Sequence, residues 1–312
     1  MMTERKTDFF LIGGSNSGTT ALSLWLRAHP EVCFSTPKGP GYFATDFENY
    51  RYIKSMDAYQ GCFSEATEAH RVLGDGSTWY LYSNEAVPNI LEYNPNAKFI
   101  VILRNPIEHV RSFHNTLFHQ ANEDLEDFET AWNSQERRRR GELIPESCME
   151  PKFLQYGKMS AFGWQIERLF EWVDRERVLI LLYDEHVATP DLTYGAALKF
   201  LGLPPDGRTE FPVAIPHLKP RSWTLSRWAL RPSRLRSSVG RGLRRVLNVE
   251  SLGVTNLLRK LNYVTHERRP VTDELRMKLA AHFAGDIRQL SILIGKELEF
   301  WINPEGGDKI DV

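Results

Sequence analysis

The chain has 312 residues, 42% of them hydrophobic, enough for one large core or two small ones. Lys and Arg total 39 against 40 Asp and Glu, so no net charge draws the whole molecule toward nucleic acid. The cysteines Cys33, Cys62 and Cys148 are scattered with no CxxC pair, which argues against a zinc site and a disulfide framework and fits reduced thiols in a cytoplasmic protein.

The first element is the apolar run Phe9-Phe10-Leu11-Ile12-Gly13. It ends at a glycine-rich turn and is followed at once by a helical pattern, Ala21, Leu22, Leu24, Trp25 and Leu26. That is the layout of a strand, a phosphate-binding loop and a helix. The first N–H groups of such a helix carry partial positive charge and favour an anion. The spacing Gly13-x4-Gly18 is that of a Walker A loop, but Thr19 stands where the Walker lysine belongs. The loop is therefore suited to a phosphate and lacks the cation that draws on the outer phosphates of a nucleoside triphosphate. A bare turn is the plainer reading, yet Ser17, Thr19 and Thr20 put more hydroxyls at a helix start than a turn needs.

Further strands are expected at 32–35, 71–74, 98–103 and 178–183, all short and apolar. Helical patterns fall at 83–93, opened by Ser83, and at 106–119, opened by Pro106. Others fall at 125–140, 159–174 and 192–201, the last stopped by Gly202-Leu203-Pro204-Pro205, and then at 272–283 and 286–298. Strands alternating with helices predict an α/β fold: a central parallel sheet flanked by helices, with a P-loop nucleotide site.

From 211 to 249 no acidic residue occurs, while arginines accumulate and Trp223 and Trp228 are interleaved. The stretch is either an amphipathic basic element meeting an anionic ligand or a membrane surface, or a solvated insert. The expected organisation is a single domain over 1–312 with a basic helical insert at about 211–265. No run approaches the roughly 18–20 apolar residues that span a bilayer. The polar start, Met1 to Asp8, and the short apolar run after it do not make a signal peptide.

A second anion site is expected after the strand at 98–103. That strand delivers Arg104 at its carboxyl end, where α/β sheets bind ligands. The following helix carries Ser112 about two turns along. A guanidinium and a hydroxyl converging on one point make a phosphate clamp. Taken alone, an arginine paired with a surface carboxylate is the plainer reading. Two anion sites on one sheet suit a nucleotide with two separated phosphates.

At this point the chain resembles sulfotransferases that use 3′-phosphoadenosine 5′-phosphosulfate (PAPS), most closely the carbohydrate and Golgi-type branch and its bacterial relatives. The 5′ motif resembles Ile12 to Thr20 with His29-Pro30 following, and the 3′ motif resembles Ile102-Leu103-Arg104-Asn105-Pro106 through Arg111-Ser112. Gly74 to Leu81, Tyr156-Gly157, Tyr183-Asp184-Glu185, Phe200 to Pro204 and Arg268-Arg269-Pro270 are similar to family segments in the same order. The resemblance implies that Ser17, Gly18, Thr19 and Thr20 hold the 5′-phosphosulfate, that Arg104 and Ser112 hold the 3′-phosphate, and that Arg268 or Arg269 closes over it. It implies PAPS as co-substrate, 3′-phosphoadenosine 5′-phosphate (PAP) as product, and a hydroxyl-bearing acceptor.

Three family positions depart from the pattern. Asn16 replaces a Lys or Arg, Gly39 replaces the Glu that acts as base, and Gly76 stands where the glycosaminoglycan branch has Lys. Candidate substitutes are Asp75, as a base or as a turn aspartate; Lys38, swung toward the sulfonate or solvated; and His114, as a base or as a structural residue. Asn16 retains a neutral donor for the departing oxygen. His109, His114 and His119 are five residues apart and face different ways on a helix, so no metal site is expected. The rival readings are a PAPS- or PAP-binding protein with impaired chemistry and a P-loop kinase of small molecules. The missing Walker lysine argues against the kinase.

Overall fold

The computed structural model describes residues 5–212, 218–220, 263–265 and 272–302. Their contacts group into two compact units. Met1–Val110, Gly157–Ala214 and Asp273–Val312 form the first, Arg111–Tyr156 and Ile215–Thr272 the second.

The first unit holds five strands, β1 (Phe9–Gly13), β2 (Val32–Phe34), β3 (Val72–Asp75), β4 (Lys98–Leu103) and β5 (Val178–Leu182). They form one sheet in the order β2-β3-β1-β4-β5, and every pairing is parallel. Each predicted strand forms, with ends shifted by no more than one residue. Helices in chain order are α1 (Thr19–Arg27), α2 (Met56–Gly61), α3 (Ala86–Tyr93), α4 (Pro106–His119), α5 (Phe128–Asn133), α6 (Gln135–Arg139), α7 (Tyr156–Met159), α8 (Phe162–Trp172), α9 (Tyr183–Ala188), α10 (Pro190–Leu201) and α11 (Asp273–Ile294).

Alternation along the strands divides the core into two layers. Phe9, Leu11, Ile100 and Ile102 join Leu22, Trp25 and Leu26 of α1 and Ala197, Leu198 and Leu201 of α10 in one buried cluster. On the opposite side, Phe10 stacks on Phe99 at 5.8 Å and meets Phe43 edge-on at 5.7 Å. β1 and β4 lie side by side, with Gly13 opposite Ile102. The chain leaves β1 toward β2 on one side and leaves β4 toward β5 on the other. That reversal opens a crevice at the carboxyl ends of β1 and β4, where sheets of this kind receive ligands.

Three helical expectations change. The segments at 272–283 and 286–298 form one helix, α11. Gly285 lies inside it at a cost of about 1 kcal/mol, which burial of Leu279, Phe283, Ile287 and Leu290 outweighs. Asp286 also accepts the Gly163 and Trp164 N–H groups at 2.9 Å each, capping the start of α8. The pattern at 159–174 is interrupted before α8. The pattern at 125–140 becomes α5 and α6, with Asp127 accepting the Thr130 N–H at 2.8 Å as the cap of α5.

The second unit, described by itself, contains residues 111–119 of α4, then α5 and α6, and the short antiparallel pair β6 (Leu218–Pro220) and β7 (Tyr263–Thr265). Its interior holds an ion pair, Arg138 to Glu123, with contacts of 2.6 and 2.7 Å and side chains 1% and 0% exposed. Tyr156 also donates to Glu123. Burial alone would raise the Glu123 carboxyl, but the hydrogen bonds from Arg138 and Tyr156 prevail and hold it below its usual value. Most of the basic stretch at 211–265 lies outside the described residues. Among the described residues, no helix is long and apolar enough to cross a membrane.

Candidate active site

The glycine-rich loop between β1 and α1 has the shape its composition demands. Gly13 has φ of 130°, and a Cβ there would lie 2.4 Å from the Ile102 carbonyl oxygen. Gly18 has φ of 85° and caps α1. Asn16 adopts φ of 61°, a conformation that asparagine tolerates better than most residues. The Gly14 N–H donates to the Ile102 carbonyl at 3.1 Å, fixing the loop to β4. The first N–H groups of α1 have no partner within the helix. Ser15 and Ser17 are buried, and neither Oγ has a hydrogen-bond partner in the protein. Buried hydroxyls left in that state cost free energy. A loop of N–H groups and idle hydroxyls fits an anion.

Arg104 leaves the end of β4 and is buried. Its guanidinium lies 4.5 Å from the centre of the Tyr183 ring, and Nη1 points to the Asn16 carbonyl at 3.5 Å. The two motifs that are 88 residues apart in sequence therefore meet at one loop. Beneath the loop, His109 is fully buried, and its Nδ1 lies 2.8 Å from Ser160 Oγ. Burial, then the Arg104 charge, pushes its imidazole down to about 3, so it stays neutral. His186 packs on Trp25 at 4.8 Å and against Gly18. Burial holds it at about 4. Tyr183 enters the sequence reading only through the segment Tyr183-Asp184-Glu185, with no role in the site, and His186, the next residue, does not enter it.

Lys38 follows β2 and reaches the start of α1. Its Nζ donates to Thr19 Oγ1 at 3.0 Å and lies 3.4 Å from Thr20 Oγ1. Burial pushes the ammonium down to about 8, against the upward pull of Asp75. The side chain lies across Gly76, where an added Cβ would stand 3.0 Å from Lys38 Cγ and Cε. A Cβ at Gly39 would be 3.3 Å from the Gly76 carbonyl.

Asp75 ends β3 and is completely buried. It accepts from the Ser77 N–H at 2.9 Å, Ser77 Oγ at 2.7 Å, Tyr59 OH at 3.1 Å and Tyr80 OH at 3.2 Å. Burial raises its carboxyl to about 6 despite these donors. The arrangement is that of a carboxylate that holds a turn and two tyrosines in place.

Ser112 and His114 belong to the second unit. His114 is buried, and its Nε2–H donates to the Leu125 carbonyl at 2.8 Å, so that nitrogen carries the proton. Burial lowers the His114 imidazole below its usual value. Arg268 and Arg269 lie outside the described residues. Among the described residues no group of His, Cys, Asp and Glu is placed to hold a metal ion.

Residues 43–207, more than half of the chain, match the family model described as the sulfotransferase family. The chain is 30% identical over 103 residues to the membrane-associated sulfotransferase kil1 of Dictyostelium discoideum, covering 32% of this chain and 21% of that protein. It is 24% identical over 258 residues to human carbohydrate sulfotransferase 15, covering 63% of this chain and 44% of that one. The chain thus spans less than half the length of these relatives. A sulfotransferase structure from Alicyclobacillus acidocaldarius shares the fold with a TM-score of 0.66 at 21% identity, covering 96% of this chain and all of that one.

Proposed function

Because the chain belongs to the sulfotransferase family, we propose that it moves a sulfuryl group from PAPS to a hydroxyl of a small molecule, sugar or lipid. The observation that carries this reading is the meeting of the two motifs: Arg104 stands over Tyr183 and against Asn16 of a loop whose Ser15 and Ser17 hydroxyls have no partner in the protein. PAPS supplies an activated sulfonate. The bond from sulfur to the 5′-phosphate oxygen breaks, its electron pair stays with PAP, the acceptor oxygen bonds to sulfur, and the hydroxyl proton is released.

In this reading the N–H groups of Gly18, Thr19 and Thr20 and the hydroxyls of Ser17, Thr19 and Thr20 hold the 5′-phosphate. Arg104 holds the 3′-phosphate. The parts given to Ser112, Arg268 and Arg269 rest on the sequence motifs alone. Asp75 acts as a positioning residue, because its acceptor capacity is spent on Ser77, Tyr59 and Tyr80. His114 is structural, because its Nε2–H is held by the Leu125 carbonyl. The acceptor proton then leaves to water. A positioned base is worth about 10²–10⁴ in rate, so turnover is slow for the family.

The test is release of PAP from labelled PAPS with a panel of hydroxyl compounds, beside calorimetry with PAP. PAP binding with acceptor-dependent release supports the reading, and absence of PAP binding refutes it. The second reading, a PAPS- or PAP-binding protein with impaired chemistry, is favoured by the saturated Asp75 and by Gly39. Gly39→Glu should then create turnover where wild type has none. We also propose that residues 1–312 act as one sulfotransferase-like domain. A cytoplasmic location is part of the same reading and rests on three free thiols. Contact of the basic stretch with anionic membrane is checked by vesicle flotation.

A further inference from the structure

Lys38 is an ammonium placed among neutral partners. Its Nζ has two hydroxyls before it, Thr19 Oγ1 at 3.0 Å and Thr20 Oγ1 at 3.4 Å. Among the described residues no carboxylate lies within ion-pair distance of it. Asp75 is the charged group coupled to it, and that carboxylate is turned toward Ser77 and two tyrosines. Lys38 is half-buried, and neutral hydroxyls, not a carboxylate, receive its ammonium N–H groups. Such a site is completed by an anion. The free N–H groups at the start of α1 point the same way.

The position of Lys38 is tied to a second feature. Its stem crosses Gly76 so closely that any side chain at 76 would contend with Lys38 and with the Phe34 ring, 2.9 Å from an added Cβ. Residues 16 and 76, where the family resemblance implies cations, are here an exposed asparagine and a glycine. The absence of a side chain at 76 is the space in which Lys38 lies.

We infer that Lys38 is the cation of the 5′-phosphosulfate corner, taking the place of basic residues at 16 and 76, and that Gly76 is the gap that admits it. This rests on the PAPS reading above. In the transfer step, Lys38 meets the negative charge that collects on the bridging phosphate oxygen as the sulfur–oxygen bond breaks, and the electron pair of that bond remains on PAP. No proton moves to or from Lys38. Stabilising charge as it develops is the main electrostatic task in such displacements.

The experiment uses the full chain and two probes, PAP and 3′-AMP, which lacks the 5′-phosphate. Calorimetry at pH 7 compares wild type with Lys38→Met and Lys38→Arg, with thermal unfolding as a check of folding. Lys38→Met should weaken PAP by roughly 10–100-fold, the worth of a hydrogen bond to a charged group. It should leave 3′-AMP unchanged, and Lys38→Arg should recover most of the loss. Equal loss for both probes, or none for PAP, overturns the inference. If wild type binds 3′-AMP but gains nothing from the 5′-phosphate, Lys38 is refuted while the nucleotide reading stands. If it binds neither probe, both fail. Should Lys38→Met not fold, wild type gives the same answer by titration. The PAP-over-3′-AMP advantage should shrink as pH rises past about 8, where the ammonium of the free protein is lost. An advantage constant to pH 10 overturns it.

Discussion

Replacing Ser17 by alanine should separate the needs of the empty loop from those of its ligand. Ser17 is 0% exposed and its Oγ has no partner in the protein. A buried hydroxyl without a hydrogen bond costs about 1–3 kcal/mol in mutational data. Alanine removes that cost, and with it only a hydroxyl that no protein group uses. The ligand-free protein should therefore be unchanged or more stable by about 1 kcal/mol, a rise in Tm of roughly 1–2 °C for a chain of this size. With PAP the sign reverses. A lost hydrogen bond to a phosphate oxygen is worth about 1.5–3 kcal/mol, or roughly 10–150-fold in Kd. Scanning fluorimetry without and with PAP, joined to calorimetry, reads both effects. A fall in ligand-free Tm of several degrees together with unaltered PAP affinity would refute the reasoning. It would mean that Ser17 is a packing residue whose hydroxyl is not used.

Three other outcomes follow from the same structure. Arg138→Met leaves Glu123 buried, with only the Tyr156 hydroxyl and the Asp124 and Leu125 N–H groups to serve it. It should cost about 3–5 kcal/mol in urea unfolding, and a loss under 1 kcal/mol would show that the pair is not buried as described. His114→Ala should destabilise by about 2–4 kcal/mol through lost packing and the lost bond to the Leu125 carbonyl, while the pH profile of kcat/KM stays in place. A displaced acid limb would return His114 to the role of base. Asp75 holds its proton to about pH 6 when folded and, in the unfolded chain, to its ordinary 3.8. The folded state thus binds the extra proton, so this group's contribution is full below about pH 4 and falls by about 3 kcal/mol as pH rises through 6. Urea midpoints at pH 4.5 and 6.5 should show a smaller pH slope in Asp75→Asn than in wild type. Equal slopes would contradict the burial of that carboxylate.

The sequence alone determined the five strands and the loop. Their signals are local: short apolar runs, and glycines at the positions where φ turns positive or a backbone approaches closely, as at Gly13 and Gly18. It also brought Arg104 to a strand end, because a strand followed by Asn-Pro can end in few ways. What it left open was decided by contacts between distant segments. Asp75 looked equally fit for a base or a turn residue, and only the arrival of Tyr59 and Tyr80 filled its acceptors. Lys38 is open in the sequence between a sulfonate contact and a solvated lysine, and only Gly76 and the start of α1 give it a bed and two hydroxyls. The final pair of helical patterns became one helix because packing against α8 outweighed a single glycine. Periodicity and turn chemistry are written along the chain. The surroundings that set a charge's role are assembled from segments that the chain order keeps apart.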